Sequence, residues 1–140
     1  MRILVVEDTE SIAHMISALV KARGHEVTSV GTGSKAVELA LKDTFDLVLL
    51  DINLPGSMDG FAVCKKLRTD VGMVDTPVIF ISAMSDDIYK KRAFEQGAST
   101  YYTKPFSPLA LLKEIESISL RTSGKFPGST GGPPPATSGQ

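Results

Sequence analysis

Leu47-Val48-Leu49-Leu50-Asp51 decides how this chain folds, because it is an apolar run without polar alternation, stopped by a carboxylate. Such a run fits a strand buried on both faces, the situation of strands in a parallel sheet. Other apolar runs stop in the same way. Ile3-Leu4-Val5-Val6 leads into Glu7-Asp8, Val78-Ile79-Phe80-Ile81 leads into Ser82, and the segment from Ser99 to Thr103 leads into Lys104. If these runs lie side by side and parallel, their carboxyl ends bring three acids, a hydroxyl and an ammonium to one edge of the sheet, where open α/β sheets bind ligands.

Between the runs the apolar period changes from continuous to helical, as repeated strand-helix units require. Ile12, Met15, Ile16, Leu19 and Val20 follow helical spacing, and Gly24 is placed to end that helix. His25 to Val30 is the most polar strand candidate and suits an edge position beside the first strand. A second helix takes Ser34 to Lys42, with Ala36, Val37, Ala40 and Leu41 apolar, before strand three at Asp46 to Leu50. The third spans about Asp59 to Arg68, with Phe61, Cys64 and Leu67 on one face. The fourth, about Asp86 to Gln96, has only Ile88, Ala93 and Phe94 as apolar anchors among Lys90, Lys91, Arg92 and Glu95, and should pack loosely. Ser107 and Pro108 make a good start for the fifth, whose buried stripe is Leu111, Leu112, Ile115 and Ile118.

A chain of 140 residues has room for one domain with a real core. An apolar share of 42% and a charged share of 22% suit a globular domain, and a net charge of −1 supplies no general attraction to nucleic acid or anionic membrane. The lone Cys64 excludes an internal disulfide and a cysteine zinc cluster. Neither a signal-peptide core nor a membrane span is present, so a cytoplasmic location is expected. From residue 121 the composition shifts to Ser, Thr, Gly and Pro, which cannot bury a core. The expected organisation is therefore one domain over 1–120 and a flexible tail or linker over 121–140.

Glu7, Asp8 and Asp51 would repel one another at short range unless a cation or protons intervene. An oxygen-only donor set favours Mg²⁺. Glu7 and Asp8 can serve one ion only if the strand has begun to turn between them, so Asp8 is the better direct ligand and Glu7 is assigned a water-mediated role. With charge neutralised in this way, the Asp51 carboxylate can attack phosphorus and form an acyl phosphate. Lys104 supplies a second positive centre and Ser82 a hydroxyl for the phosphoryl oxygens. Ala83 is small enough to leave that side open.

The motifs Ile3-Leu4-Val5-Val6-Glu7-Asp8, Leu49-Leu50-Asp51 with Leu54-Pro55 and Met58-Asp59-Gly60, Ile81-Ser82-Ala83 and Lys104-Pro105-Phe106 together carry a resemblance to the receiver domain of two-component response regulators, from Arg2 to about Ser119. The resemblance implies a flavodoxin-like doubly wound α/β fold, a five-stranded parallel sheet of order 2-1-3-4-5 with five helices. It makes Asp51 the phosphoacceptor, with Asp8, Asp51 and the carbonyl of Asn53 ligating Mg²⁺ and Glu7 completing the acidic pocket. Ser82 and Lys104 then hold the phosphoryl group, and Tyr101 on strand five turns inward as Ser82 is drawn to it. The implied partner is a sensor histidine kinase or phosphotransfer protein. The implied output is a changed surface of helix four, strand five and helix five, and the family also allows a homodimer formed on phosphorylation.

The chain departs from the family pattern in its Pro55–Gly60 loop, one residue longer than usual, and in Ser99 and Thr100, where receivers joined to winged-helix domains commonly carry acids for dimer salt bridges. The reading is a signalling switch rather than an enzyme, with only self-phosphorylation from donors and self-dephosphorylation. The alternative is a Mg²⁺-dependent phosphatase with an aspartyl nucleophile, which would want an acid where Asn53 stands. A nucleotide-binding domain ranks last, since Asp8-Thr9-Glu10-Ser11 would repel phosphate rather than cradle it.

Overall fold

Apolar runs without alternation need cover on both faces, and helices provide that cover in the computed structural model, which describes residues 1–123. Strands β1 (Arg2–Val6), β2 (Glu26–Val30), β3 (Leu47–Leu50), β4 (Val78–Ser82) and β5 (Thr100–Thr103) alternate with helices α1 (Glu10–Lys21), α2 (Gly33–Lys42), α3 (Gly60–Thr69), α4 (Asp87–Glu95) and α5 (Pro108–Ser123). All strand pairs are parallel and form one five-stranded sheet of order β2-β1-β3-β4-β5. This is the flavodoxin-like doubly wound arrangement expected from the motifs. β2 lies at the edge, as its polarity requires, and none of its residues is buried.

Strand alternation divides the sheet's apolar residues between its two faces. Leu4, Val6, Val48, Leu50, Val78 and Phe80 share one core with Ala36 and Ala40 of α2, Phe61, Cys64 and Leu67 of α3, and Ala93 of α4. Ile3, Val5, Leu47, Leu49, Ile79 and Ile81 point the other way and are equally buried, as are Ile16 and Val20 of α1. Full burial of side chains of this size contributes about 1.5–3 kcal/mol each. Thr32 caps α2 by accepting from the Lys35 amide at 3.2 Å, and Asp59 caps α3 by accepting from Ala62 at 2.9 Å. Gly24, at φ +87°, makes the turn after α1.

The chain divides into two units: Met1–Phe106, which holds the sheet and α1 to α4, and a second that begins at Ser107 and holds α5. In the latter, Ser107 Oγ accepts from the Ala110 amide at 3.2 Å, and Leu111, Leu112, Ile115 and Ile118 form the expected buried stripe. α5 runs to Ser123, three residues past the expected boundary at 120. The rest of the segment read as a flexible tail lies outside the described residues. Among those described, no helix is long and apolar enough to cross a membrane.

Several expectations need correction. Ile88 and Phe94 do not anchor α4, since they are 71% and 50% exposed. The inward line of α4 is Tyr89, Ala93 and Gln96, and each residue alongside it is rotated by about 100° around the helix. Leu41 is likewise exposed at the end of α2, and Met15 on α1 is largely outside. His25, Asp46 and Ser99 precede their strands rather than opening them, and Asp59 caps α3 from outside it.

Candidate functional site

Parallel register delivers the site. Val6 pairs with Leu50 and Leu50 with Phe80, so β1 and β3 end level with one another and β4 runs two residues further, to Ser82. The ladder extends past the strands, with the Glu7 amide donating to Val30 O at 3.0 Å, Asp51 N to Val6 O at 3.0 Å and Lys104 N to Ser82 O at 2.8 Å. Glu7, Asp51, Ser82 and Lys104 are thereby held by backbone bonds at the carboxyl edge. The chain bends at Asp8, immediately after β1, which supplies the turn that adjacent acids need to face one centre.

Glu7, Asp8 and Asp51 each offer a carboxylate oxygen, and these oxygens all lie within 4.8 Å of one another. Glu7 and Asp51 are buried, each 5% exposed, whereas Asp8 opens to solvent. Lys104 Nζ donates to Glu7 Oε1 at 2.7 Å and to Asp51 Oδ2 at 3.0 Å. The remaining Glu7 oxygen accepts from the Thr9 amide at 3.1 Å, and Asp51 Oδ1 from the Asn53 amide at a long 3.4 Å. Burial pushes the Glu7 carboxyl above its usual range, opposed by the Lys104 and Thr9 hydrogen bonds and reinforced by the negative charge of Asp51. Burial alone would lower Lys104, but its bonds to Glu7 and Asp51 outweigh it and hold the ammonium above the usual lysine value. The centre is thus an ammonium bracketed by two desolvated acids, with a third acid exposed at the rim. An all-oxygen donor set with one open side fits a hard divalent cation such as Mg²⁺.

Ser82 is fully buried, and its Oγ accepts from the Met84 amide at 3.3 Å. The Met84 carbonyl in turn accepts from Tyr101 Oη at 2.5 Å. Tyr101 stacks on Phe80 with ring centroids 6.2 Å apart and planes 5° from parallel, and Phe80 lies 5.7 Å from Phe61. Burial raises the Tyr101 phenol above its ordinary value; a hydrogen bond with Ser82 opposes this and the Asp51 charge adds to it. Tyr101 is therefore turned inward and half-buried, tied to the loop after β4. Asn53 is exposed two residues beyond Asp51. The Lys104-Pro105 peptide is cis. An open groove of about 500 Å³ runs from Glu7 and Asp8 along α1 past His14, Ser17 and Lys21 to Ser29 and Gly31.

The sequence reading missed contributions made by backbone. Met84 couples Ser82 to Tyr101 through its amide and carbonyl, for which no side-chain pattern exists. Gly60 was visible in the Met58-Asp59-Gly60 motif, but its reason is steric: a Cβ there would stand 2.2 Å from the Asp51 carbonyl oxygen and 2.7 Å from Ile52 Cα.

A family model described as the response regulator receiver domain matches residues 3–116. The chain belongs to this family. It is 37% identical to the response regulator PleD of Caulobacter vibrioides over 117 residues, 84% of this chain and 26% of PleD. It is 39% identical to the regulatory protein VanRB of Enterococcus faecalis over 123 residues, 88% of this chain and 54% of VanRB. Among solved structures, the Vibrio cholerae chemotaxis protein CheY4 superposes with a TM-score of 0.77 at 31% identity, covering 84% of this chain and 97% of CheY4. The receiver domain of Francisella response regulator 1452 gives 0.79 at 30% identity, covering 86% and 98%. This receiver thus spans about a quarter to a half of these curated relatives and nearly all of the isolated receivers it matches. It is a receiver domain of the two-component response regulators, and the phosphatase alternative has no support from these matches.

Proposed function

We propose that Asp51 accepts a phosphoryl group from the phosphohistidine of a sensor kinase or phosphotransfer protein, and that this receiver works as a switch rather than as a phosphatase. The observation that carries the reading is the Asp51 carboxylate, buried at the end of the central strand, 3.0 Å from Lys104 Nζ and grouped with the oxygens of Glu7 and Asp8. Asp8, Asp51 and the Asn53 carbonyl, with Glu7 behind them, would hold Mg²⁺, which when bound neutralises the phosphoryl oxygens.

In the transfer an Asp51 carboxylate oxygen forms a bond to phosphorus, the phosphorus–nitrogen bond of the donor breaks, and the freed imidazole keeps the electron pair. Lys104 balances the charge that gathers on the transferred oxygens, and the Ser82 hydroxyl turns from Met84 to donate to one of them. Losing the Ser82 acceptor loosens the loop at Met84, which Tyr101 also holds, so the change passes to α4 and β5. The groove beside α1 gives the donor a path to the exposed Asp8 side of the site.

The test is intact-mass measurement after incubation with Mg²⁺ and a small acyl-phosphate donor. One phosphoryl mass is gained, it is lost in base, and Asp51→Asn abolishes the gain. Labelling that persists in that variant moves the acceptor elsewhere.

A further inference from the structure

The two ends of α4 are built differently. At its amino end, Asp86 precedes the helix without a side-chain cap bond, and its carbonyl accepts from the Tyr89 amide at 3.1 Å and from the Lys90 amide only at a long 3.5 Å. Asp86, Asp87 and Ile88 are exposed, and only Tyr89 and Lys90 are half-buried there. The carboxyl end closes in a Schellman motif: Gly97, at φ +97°, donates to Phe94 O at 3.0 Å and Ala98 donates to Ala93 O at 3.0 Å. Three side chains then bind this end to α3. Arg68 Nη2 donates to Gly97 O at 2.7 Å, Cys64 Sγ donates to Gln96 O at 3.3 Å, and the Arg92 guanidinium lies 4.2 Å over the Phe61 ring. Arg68 is itself fixed from its other nitrogen, which donates to Met73 O at 2.5 Å and Thr76 O at 2.6 Å.

We propose that Arg68 is a positioning residue that pins the carboxyl end of α4, so that α4 responds to the site by pivoting at its amino end instead of shifting as a rigid rod. The physical reason is the uneven cost of the two movements. Displacing the carboxyl end breaks the charge-assisted Arg68 bond to Gly97 O and the Cys64 bond to Gln96 O, uncovers Phe61 and disturbs the fully buried Ala93. Displacing the amino end strains two local backbone bonds to Asp86 O, one of them long, and shifts Tyr89, the half-buried residue that packs on the core there. The loop that would drive the motion, Ala83 to Asp86, joins α4 at its loose end and is tied to Ser82 and Tyr101 through Met84. Gly97 has no room to change, because a Cβ there would meet Arg68 Nε at 3.0 Å in addition to the strain of its positive φ.

This inference rests on the phosphoacceptor reading for its trigger, but the asymmetry can be measured without one. Residue-resolved amide exchange on the unlabelled protein should open Lys90 to Arg92 on the order of tenfold or more faster than Gln96 to Ala98. Arg68→Met should erase most of that difference by accelerating Gln96 to Ala98 at least about tenfold, while Arg68→Lys, which keeps one donor, recovers part of it. With Mg²⁺ and beryllofluoride, a phosphoryl mimic, backbone shift changes in wild type should fall in Met84 to Lys91 and stop before Ala93. In Arg68→Met they should spread to Ala98. Equal exchange at both ends of wild-type α4, or changes running evenly through Ala98 in a protein whose Asp51 takes the label, would overturn the pivot. Failure of Asp51 labelling alone would remove the trigger and leave the measured asymmetry standing.

Discussion

Replacing Gly60 by alanine sets two effects of opposite sign against each other, and the geometry decides between them. Gly60 is the first residue of α3, where alanine is the better helix former by about 0.5–1 kcal/mol. Its amide donates to Ile52 O at 2.8 Å, which draws the start of α3 against the chain just after Asp51. An added Cβ would lie 2.2 Å from Asp51 O, 2.7 Å from Ile52 Cα and 2.9 Å from Asp51 C, all backbone atoms that no rotamer change can move. Relief needs a shift of about 1 Å to restore ordinary contact at roughly 3.5 Å. Overpacking of this kind costs about 1–3 kcal/mol or more, and exceeds the propensity gain. The expected net destabilisation is about 2 kcal/mol, a fall in Tm of about 6–10 °C for a domain of this size. Because the displaced atoms belong to Asp51, the labelling rate should also fall by about 10²-fold. Gly24→Ala is the control: its φ is +87° but nothing lies within 4 Å, so stability falls while labelling is kept. Thermal melts read by circular dichroism and timed intact-mass labelling test both quantities. A Gly60→Ala protein with Tm equal to or above wild type would refute the steric argument.

Other outcomes follow from the same contacts. Lys104→Met removes the shared partner of Glu7 and Asp51; labelling should slow on the order of 10²-fold while the acidic site binds Mg²⁺ more tightly, read by isothermal titration, and an unchanged labelling rate would exclude Lys104 from the transfer. Phe80→Ala should cost about 3–5 kcal/mol in urea unfolding, because the fully buried ring supports both Phe61 and Tyr101; a loss below about 1 kcal/mol would contradict that packing. Tyr101 should ionise later than ordinary tyrosine, since burial opposes the phenolate. The unfolded chain then deprotonates first, and stability drops as pH rises from about 10 through the raised folded value. Tyr101→Phe should remove a component above the ordinary tyrosine range from the ultraviolet titration and flatten that alkaline slope; a titration that keeps this component would reverse the assignment.

How much of this was legible beforehand varies from residue to residue. Asp51, Asp8 and Lys104 could be read because each terminates an apolar run, and parallel strands align their ends whatever the intervening helices do. α4 was misread at Ile88 and Phe94 because a short helix with few apolar residues has no strong period, and a small residue, Ala93, took the buried position. Ser107, Asp59 and Thr32 act as caps through local geometry that needs no tertiary partner, and the first of these was read in advance.

The chain's residue order was thus sufficient for the number and type of elements, the parallel sheet, and the set of side chains gathered at its edge, since each depends on local periodicity and on where a run stops. Only folding decided which carboxylate oxygens Lys104 bridges, that Tyr101 faces inward on Met84, and that Arg68 fastens one end of α4. Those depend on distances between residues far apart in the chain and on backbone carbonyls, which look alike at every position until the tertiary structure gives each a neighbour.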